Sequence, residues 1–415
     1  MSEALLEDFI ARAKQVNVTD AAGKYGLAVG AKEYAGPCPR CGQGKDRFSV
    51  HPGKQAFNCR SCGGGRDGIG FMAHVHDLDL KSRSGFLEAC SAALGGEQIP
   101  EGGERETDEE RNARLARLAA LQAAAEAKAR EAEARQAQFR ERDVRKARGI
   151  YSSAVERSMP VADHVREYLR RRTGYVVPNE MLRHLRCRAK HSYYSKDEYG
   201  RDAVRHVGPA MIAAFVTLDG EVTGCHQTWI ELGKAPKYRP DLGIDLKGNQ
   251  LPTKKMLGTK RGSLIPCLGS MECSRWVGGE GIENVVAVAG FEGFRPDTFY
   301  FATGDLGNLA GPAERSSEFQ HPHLTKESAD GRTLAVRVQG PVPKADQDAR
   351  DAFQVADHVT DLILIADGDS EFYMTAAAMA RGKSRLERPG RSVDIWWPPE
   401  GMDFASLLSA RNSKG

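Results

Sequence analysis

Residues 361–370 read "DLILIADGDS". Leu362–Ala366 is an unbroken apolar run. It is too short for an ordinary helix and lacks the polar alternation of a half-exposed strand. It therefore reads as a strand buried on both faces of a parallel sheet. The run ends in Asp367-x-Asp369. In open parallel sheets, ligands bind outside the carboxyl ends of the strands, so these two carboxylates stand where chemistry is expected. Working outward, the segment "SRWVGGEGIENVVAVAG" (274–290) reads as a strand, a glycine turn bearing Glu280, and a helix. "TFYFATGD" (298–305) is another apolar strand, with Asp305 past its end. "VDIWWPPEGMDF" (393–404) is a strand, a proline stop and then Asp403. Residues 271–415 thus alternate short strands with helices, the pattern of an α/β domain with a largely parallel sheet. Carboxylates gathered at one sheet edge repel one another unless a cation lies between them. Mg²⁺ takes hard oxygen ligands from one or two carboxylates and completes its shell with water and substrate phosphate. Glu280, Asp367 and Asp369 are therefore candidates for metal-assisted phosphoryl chemistry.

The chain has 415 residues, enough for several domains, and a net charge of only +3. Contacts with nucleic acid must then come from local basic patches rather than overall charge. No apolar run approaches the roughly 18 residues that span a membrane, and the acidic start "MSEALLEDF" is unlike a secretory leader. Nine cysteines, an odd number, argue for a reducing cytosol over a disulfide framework. Four of them form Cys38-x2-Cys41 and Cys59-x2-Cys62, separated by 17 residues. That spacing matches the paired knuckles of a tetrahedral zinc site. Four sulfurs leave no open position, so the metal is structural. His51, His74 and His76 read as surface or packing residues, and Cys90 as core. Between the knuckles, "KDRFSVHPGKQAFNC" (45–59) alternates like a hairpin turning at Pro52-Gly53. Arg47 and Phe48 there, with Lys45, Lys54, Phe57 and Arg60, mix positive charge with aromatic rings. Such a surface suits single-stranded nucleic acid; equally, the phenylalanines pack beneath the metal.

Residues 101–149 are rich in Ala, Glu, Arg and Gln, which favour helix, and carry only a thin stripe at Leu115, Leu118 and Leu121. They read as a solvated helical linker. Residues 150–270 read as mixed α/β: a helix closed by Gly174, then two strands around Asp219-Gly220. Lys234, Lys237, Arg239, Lys254, Lys255, Lys260 and Arg261 follow among glycines and prolines, as loops facing phosphate would. Lys237, Lys255 and Arg261 are the chosen candidates for nucleotide or nucleic-acid contact.

The motif Cys-Pro-x-Cys, then Asp-Arg-Phe-Ser-Val, Phe-x-Cys-x-x-Cys-Gly and Asp-x-Ile-x-Phe resembles the zinc-binding domain of DnaG-like bacterial and phage DNA primases. The resemblance covers about residues 5–95. Many members carry histidine as second ligand where this chain has Cys41. "VGGEGIENVV", "TFYFATGDLGNLA" and "LILIADGDS" together resemble the Toprim domain of primases, topoisomerases and some nucleases. That resemblance makes Glu280 the motif glutamate, as metal ligand or general acid/base, and Asp367 and Asp369 the metal-binding pair. Asp305 and Asp403 become candidates for acids that support the metal ligands without binding the ion themselves. After the pair, Ser370-Glu371-Phe372 departs from the small residue and glycine of many relatives. "GEVTGCHQTWIELGKAPKY" and "KKMLG" resemble the first half of the catalytic core in primases of phages and mobile elements.

The expected architecture is a multidomain α/β chain. It comprises a zinc-ribbon-like β domain (1–100), a charged helical linker (101–149), a basic subdomain of a primase core (150–270) and a Rossmann-like Toprim domain (271–415). The resemblance implies a DNA primase making short RNA primers on single-stranded DNA. It would use structural Zn²⁺, catalytic Mg²⁺ or Mn²⁺, and ribonucleoside triphosphates. No G-x4-G-K-[ST] phosphate loop is present. A separate replicative helicase is therefore implied, with a single-strand-binding protein as a further partner, and no membrane. The implied location is the cytoplasm of a bacterial cell, with a phage, plasmid or integrative element as gene source. Two alternatives share the motifs: a Toprim nuclease, and a degenerate primase that binds nucleic acid without catalysis.

Overall fold

The computed structural model describes residues 3–27, 29, 34–42, 47–100, 107–155, 162–246, 248–327 and 333–412. The fold is multidomain α/β, with two compact units: residues 1–133 with 325–334, and residues 134–324 with 335–415. No helix among the described residues is long and apolar enough to cross a membrane.

In the first unit, helices α1 (Glu3–Gln15) and α2 (Val18–Gly23) precede four short strands: β1 (Tyr34–Gly36), β2 (Phe48–His51), β3 (Ala56–Cys59) and β4 (Gly63–Gly65). These pair antiparallel in the order β1-β2-β3-β4. A 3₁₀ turn at Pro52–Lys54 joins β2 to β3, because proline presets φ for the first turn residue. Helices α3 (Gly68–His76) and α4 (Arg83–Ala93) are capped by Asp67 and Ser82, whose side chains accept from Gly70 N and Gly85 N. Strands this short cannot hold a sheet by their ladder alone. Phe9, Phe48, Phe57, Phe71 and Met72 make a core shared by sheet and helices. One helix, α5 (Asp108–Ser152), then runs for 45 residues with Leu115 exposed. The side chains of Leu118 and Leu121 lie outside the described residues.

Among its described residues, the second unit contains two larger sheets. Helices α6 (Asp163–Thr173) and α7 (Met181–His184) lead into an antiparallel sheet of β5 (Leu185–Lys196), β6 (Asp202–Val216), β7 (Val222–Trp229) and β8 (Lys254–Gly258), in that order. Gly220, at φ +77, makes the turn between β6 and β7. The second sheet contains β9 (Ile265–Leu268), β10 (Arg275–Gly279), β11 (Thr298–Ala302), β14 (Asp361–Ile365) and β15 (Ser392–Trp396), in the order β15-β14-β10-β11-β9. Three of its pairings are parallel; β9 alone runs antiparallel. Its crossovers carry α8 (Ile282–Phe291), α9 (Leu306–Ala310) and α10 (Phe372–Leu386), and α11 (Phe404–Asn412) follows β15. β14 lies between β10 and β15, where both faces are covered, and this explains its unbroken apolar sequence. A bridge from Val216 to Leu264 joins the end of β6 to the approach of β9, setting the two sheets side by side. Within the polar insert 313–357, β12 (Phe319–Glu327) and β13 (Thr333–Val338) form a two-stranded ribbon.

Candidate functional site

The four knuckle cysteines converge. Their sulfurs lie within 4.8 Å of one another, with Cys38 and Cys59 buried and Cys41 and Cys62 half-buried. Zn–S bonds of about 2.3 Å put tetrahedral sulfurs about 3.8 Å apart, so the set fits one structural Zn²⁺. The loops present backbone amides to the sulfurs: Cys62 N donates to Cys59 Sγ at 3.4 Å. His74 is not a ligand. It is buried, its Nε2 lies 3.3 Å from Cys38 Sγ, and its ring stacks on Phe48. Such outer partners orient a metal's ligands.

Phe48 corrects an expectation. It pairs across the ladder with Cys59, is fully buried, and packs its ring against Phe57, Phe71 and His74. It has no face to offer a base. Strand alternation turns it toward the metal and its core, and the hydrophobic gain of that position outweighs exposure. Arg47 is half-buried at the mouth of β2, its carbonyl accepting from Arg60 N at 3.1 Å. Lys45 lies outside the described residues.

The acidic residues meet elsewhere, at the carboxyl ends of parallel strands. Glu280 follows β10, and Asp367 and Asp369 follow β14. All three line one cleft of about 280 Å³, together with Asp403. Burial, then Asp367 and Asp305, push Glu280 up to about 7. Burial, then Asp369 and Asp403, raise Asp367 to about 6. Each raised value expresses the cost of placing carboxylates together with little water. Among the described residues, only the four cysteines form a group of three or more ligand atoms within 4.8 Å. The acids surround the cleft without closing on one point. This suits an ion that keeps water and substrate oxygens in its shell, as Mg²⁺ does.

Two residues not singled out in the sequence shape this cleft. Asn284, on the first turn of α8, donates its side-chain amide to Asp367 and accepts from Ala405 N at 3.0 Å. It thereby ties Asp367 to the start of α11. Glu283, its neighbour, is buried and accepts from Tyr168 at 2.6 Å, Arg239 at 2.8 Å and Lys254 at 2.8 Å. Burial opposes its ionisation, but Lys254 and Arg239 outweigh that and hold it well below the usual carboxylate range. "EGIEN" could have pointed to both: residues directly after a sheet's carboxyl end open the next helix and face the site. Nothing in the sequence, however, names the cations that Glu283 would meet.

The basic candidates separate. Lys237 lines the acidic cleft with Arg239 and Lys254. Lys255 does not, against expectation. In β8 alternate residues face opposite ways. Lys254 and Met256 point into the cleft, whereas Lys255 lies over the Tyr193 ring at 3.7 Å and donates to Tyr194 O. Arg261 is exposed in a turn and is absent from the cleft lining. Asp305 pairs with Lys260 and caps α9 by accepting from Asn308 N at 2.7 Å. Asp403 caps α11 by accepting from Ser406 N at 2.7 Å and lies 3.8 Å from Arg172. The departing residue Glu371 caps α10, accepting from Met374 N at 2.7 Å, with His321 Nε2 at 2.8 Å. His226, buried in the cleft wall, is lowered by burial to about 3 and is neutral.

Residues 1–92 match the family described as CHC2 zinc finger, the zinc ribbon of DnaG. The cysteine-bearing segment is thus similar to the zinc ribbon of DnaG, and its four cysteines fit one structural Zn²⁺. Residues 141–266 match a domain of unknown function (DUF7146). No curated protein matches the chain. Three solved structures are similar, each at 15% identity. The primase of Aquifex aeolicus (zinc-binding and RNA polymerase domains) is covered over 98% of this chain and 83% of its own, with TM-score 0.30. The DnaG primase catalytic domain bound to ssDNA is covered over 67% and 82%, with TM-score 0.36. The DnaG catalytic core is covered over 64% and 75%, also with TM-score 0.36.

Proposed function

We propose that this protein is a DNA primase of the DnaG type, joining ribonucleotides into short primers on single-stranded DNA. The observation that carries the reading is the meeting of Glu280, Asp367 and Asp369 in one cleft that Lys237, Arg239 and Lys254 also line. The carboxylates are the hard donors that Mg²⁺ or Mn²⁺ takes, and the cations face where phosphates would lie. When bound, the metal ion supplies charge stabilisation for attack of a 3′-hydroxyl on an α-phosphate. Asp367 is presented in a fixed orientation because Asn284 holds it. Glu280, at the end of β10, would serve as a further metal ligand or as general acid/base. Lys237 is exposed at the rim and free to follow phosphate, whereas Arg239 and Lys254 are tied to Glu283 and set the field beneath. The CHC2 ribbon engages template through Arg47 and neighbouring charges, without Phe48. In this reading residues 271–415 are the Toprim domain, residues 150–270 the basic subdomain and residues 101–149 the linker. A separate helicase supplies unwound template, with single-strand-binding protein as a further partner. The protein works in the bacterial cytoplasm, its gene of phage or mobile-element type.

The test incubates the protein with single-stranded DNA, labelled ribonucleotides and Mg²⁺ or Mn²⁺, beside Asp367→Asn/Asp369→Asn. Short labelled products from the parent are expected, reduced at least about a hundredfold in the variant, in line with loss of a metal's charge stabilisation. Shortened DNA identifies a Toprim nuclease instead. DNA retention with neither product identifies a non-catalytic binding protein. Asn284→Ala is expected to leave zinc content intact and to weaken Mn²⁺ binding at the cleft about 10–100-fold, the usual effect of losing a ligand's outer partner. Titration calorimetry with Mn²⁺ reads this directly, and an unchanged affinity would show that Asp367 needs no such support.

A further inference from the structure

A second cleft adjoins the acidic one and shares two of its residues. It measures about 480 Å³ and is lined by Asp367 and Asp369 together with Phe372, Trp397, Pro398 and Glu400. Its size falls within the range of small-molecule sites, about 300–1,000 Å³. Phe372 is 57% exposed and Trp397 is 40% exposed. Their ring centroids lie 5.9 Å apart at 43°, so they form one apolar wall rather than two scattered residues. Leaving a tryptophan and a phenylalanine in water forfeits the burial that aromatic side chains ordinarily obtain.

The placement of this wall follows from the sheet. β14 and β15 are adjacent and parallel, with Ile365 beside Trp396. Asp367 and Trp397 therefore emerge at the same edge. Phe372 opens α10 directly after the Asp pair. The wall is fastened to the acidic turn: Gly401 N donates to Gly368 O at 2.8 Å, and Ala366 N to Trp396 O at 3.0 Å. A Cβ on Gly368 would lie 2.9 Å from both Pro398 Cγ and Pro399 O, which requires glycine between the two acids. Carboxylates and aromatic wall thus form one rigid piece. A ligand spanning them needs an end that binds metal and, at fixed distance, a flat apolar body. The negative rim, with Glu400 added, rejects a bare anion but accepts donors such as ribose hydroxyls or exocyclic amines.

We propose that this cleft is a nucleobase subsite, in which the base of a nucleoside triphosphate stacks on Trp397 and Phe372 while its phosphates reach the metal at Asp367 and Asp369. The proposal rests on the nucleotide reading given above and adds where the base lies. Stacking tolerates any base, since each presents a π-face. The subsite therefore raises affinity for nucleotide without selecting a sequence.

The test is equilibrium binding of 2-aminopurine riboside triphosphate to the full chain with Ca²⁺, read by quenching of the probe. Inorganic tripolyphosphate and a single-stranded oligonucleotide serve as comparison ligands. Trp397→Ala is expected to weaken the nucleotide about tenfold, the scale of one lost stacking contact, and to lower the quenching reached at saturation. Tripolyphosphate affinity should be unchanged, and Trp397→Phe should restore most of the nucleotide affinity. Phe372→Ala is expected to act in the same direction. Both side chains are exposed, and unchanged thermal unfolding confirms that the variants fold. Equal nucleotide binding by parent and Trp397→Ala overturns the subsite, as does a loss confined to the oligonucleotide, which makes the cleft a template surface. In either case, weakened tripolyphosphate binding in Asp367→Asn/Asp369→Asn keeps the metal-and-phosphate reading standing. If that double variant too binds like the parent, the nucleotide reading itself fails.

Discussion

Removal of zinc is expected to unfold the ribbon β1–β4 while the strands and helices of residues 162–412 keep their protection. The ribbon's strands are three or four residues long and two of them contain or adjoin metal ligands. Metal binding in structural zinc peptides supplies about 10–16 kcal/mol of apparent folding free energy near neutral pH. Nothing else in the ribbon approaches that figure. The ribbon strands' own apolar contribution comes chiefly from Phe48, Val50 and Phe57, and each buried side chain adds only about 1.5–3 kcal/mol. Without the ion, four cysteine sulfurs would crowd within 4.8 Å, and any thiolate among them would have no cation to balance its charge. Phe48 would then lose its place, since it lies across the ladder from Cys59 and against His74. Chelation, or Cys59→Ser with Cys62→Ser, should therefore release the amides of 48–65 to rapid hydrogen exchange, in step with zinc loss measured by absorption spectrometry. Protection that survives complete stripping would show that the apolar core suffices.

The second large effect belongs to Glu283. Its carboxylate is the common partner of Arg239, Lys254 and Tyr168, and it is almost inaccessible to solvent. Glu283→Ala leaves two cations without their anion beside a neutral His226. Removing one partner of a buried pair costs about 3–5 kcal/mol, because the remaining charge stays buried and uncompensated. The melting temperature of the variant should fall on the order of 10 °C. Glu283→Gln preserves shape and some hydrogen bonds but not charge, so an intermediate loss is expected. The cleft should respond as well. Lys254, released from Glu283, is drawn toward Glu280 and Asp367, where it competes with a divalent ion. A variant that melts like the parent would mean that water already satisfies these cations.

Legibility from sequence differed by feature. Spacing rules are local, and they sufficed where chemistry is local. Two Cys-x2-Cys knuckles define a tetrahedral sulfur site whatever the rest of the chain does, and the ligands do converge. The unbroken run at 362–366 announced a strand covered on both faces, and β14 is that strand. The carboxyl-end rule also located the acids, because neighbouring parallel strands end at one edge and their following residues share it.

Local spacing and patterning thus account for the cysteine knuckles, the strand–helix alternation and the edge at which Glu280, Asp367 and Asp369 lie. Tertiary structure alone decided which neighbours each side chain meets. A one-residue difference in β8 sends Lys254 to the acids and Lys255 to Tyr193, because the pleat alternates and only the sheet's packing says which face is which. Phe48 was as consistent with an exposed platform as with a core, until the helices closed over it. Trp397 looked like a residue before a proline stop, yet the parallel pairing of β14 with β15 carries it beside Asp367. Glu283, Arg239 and Lys254 are scattered along the chain, and their association is a long-range fact. Charge pairing inside a protein depends on distance and burial, and neither is written in local sequence.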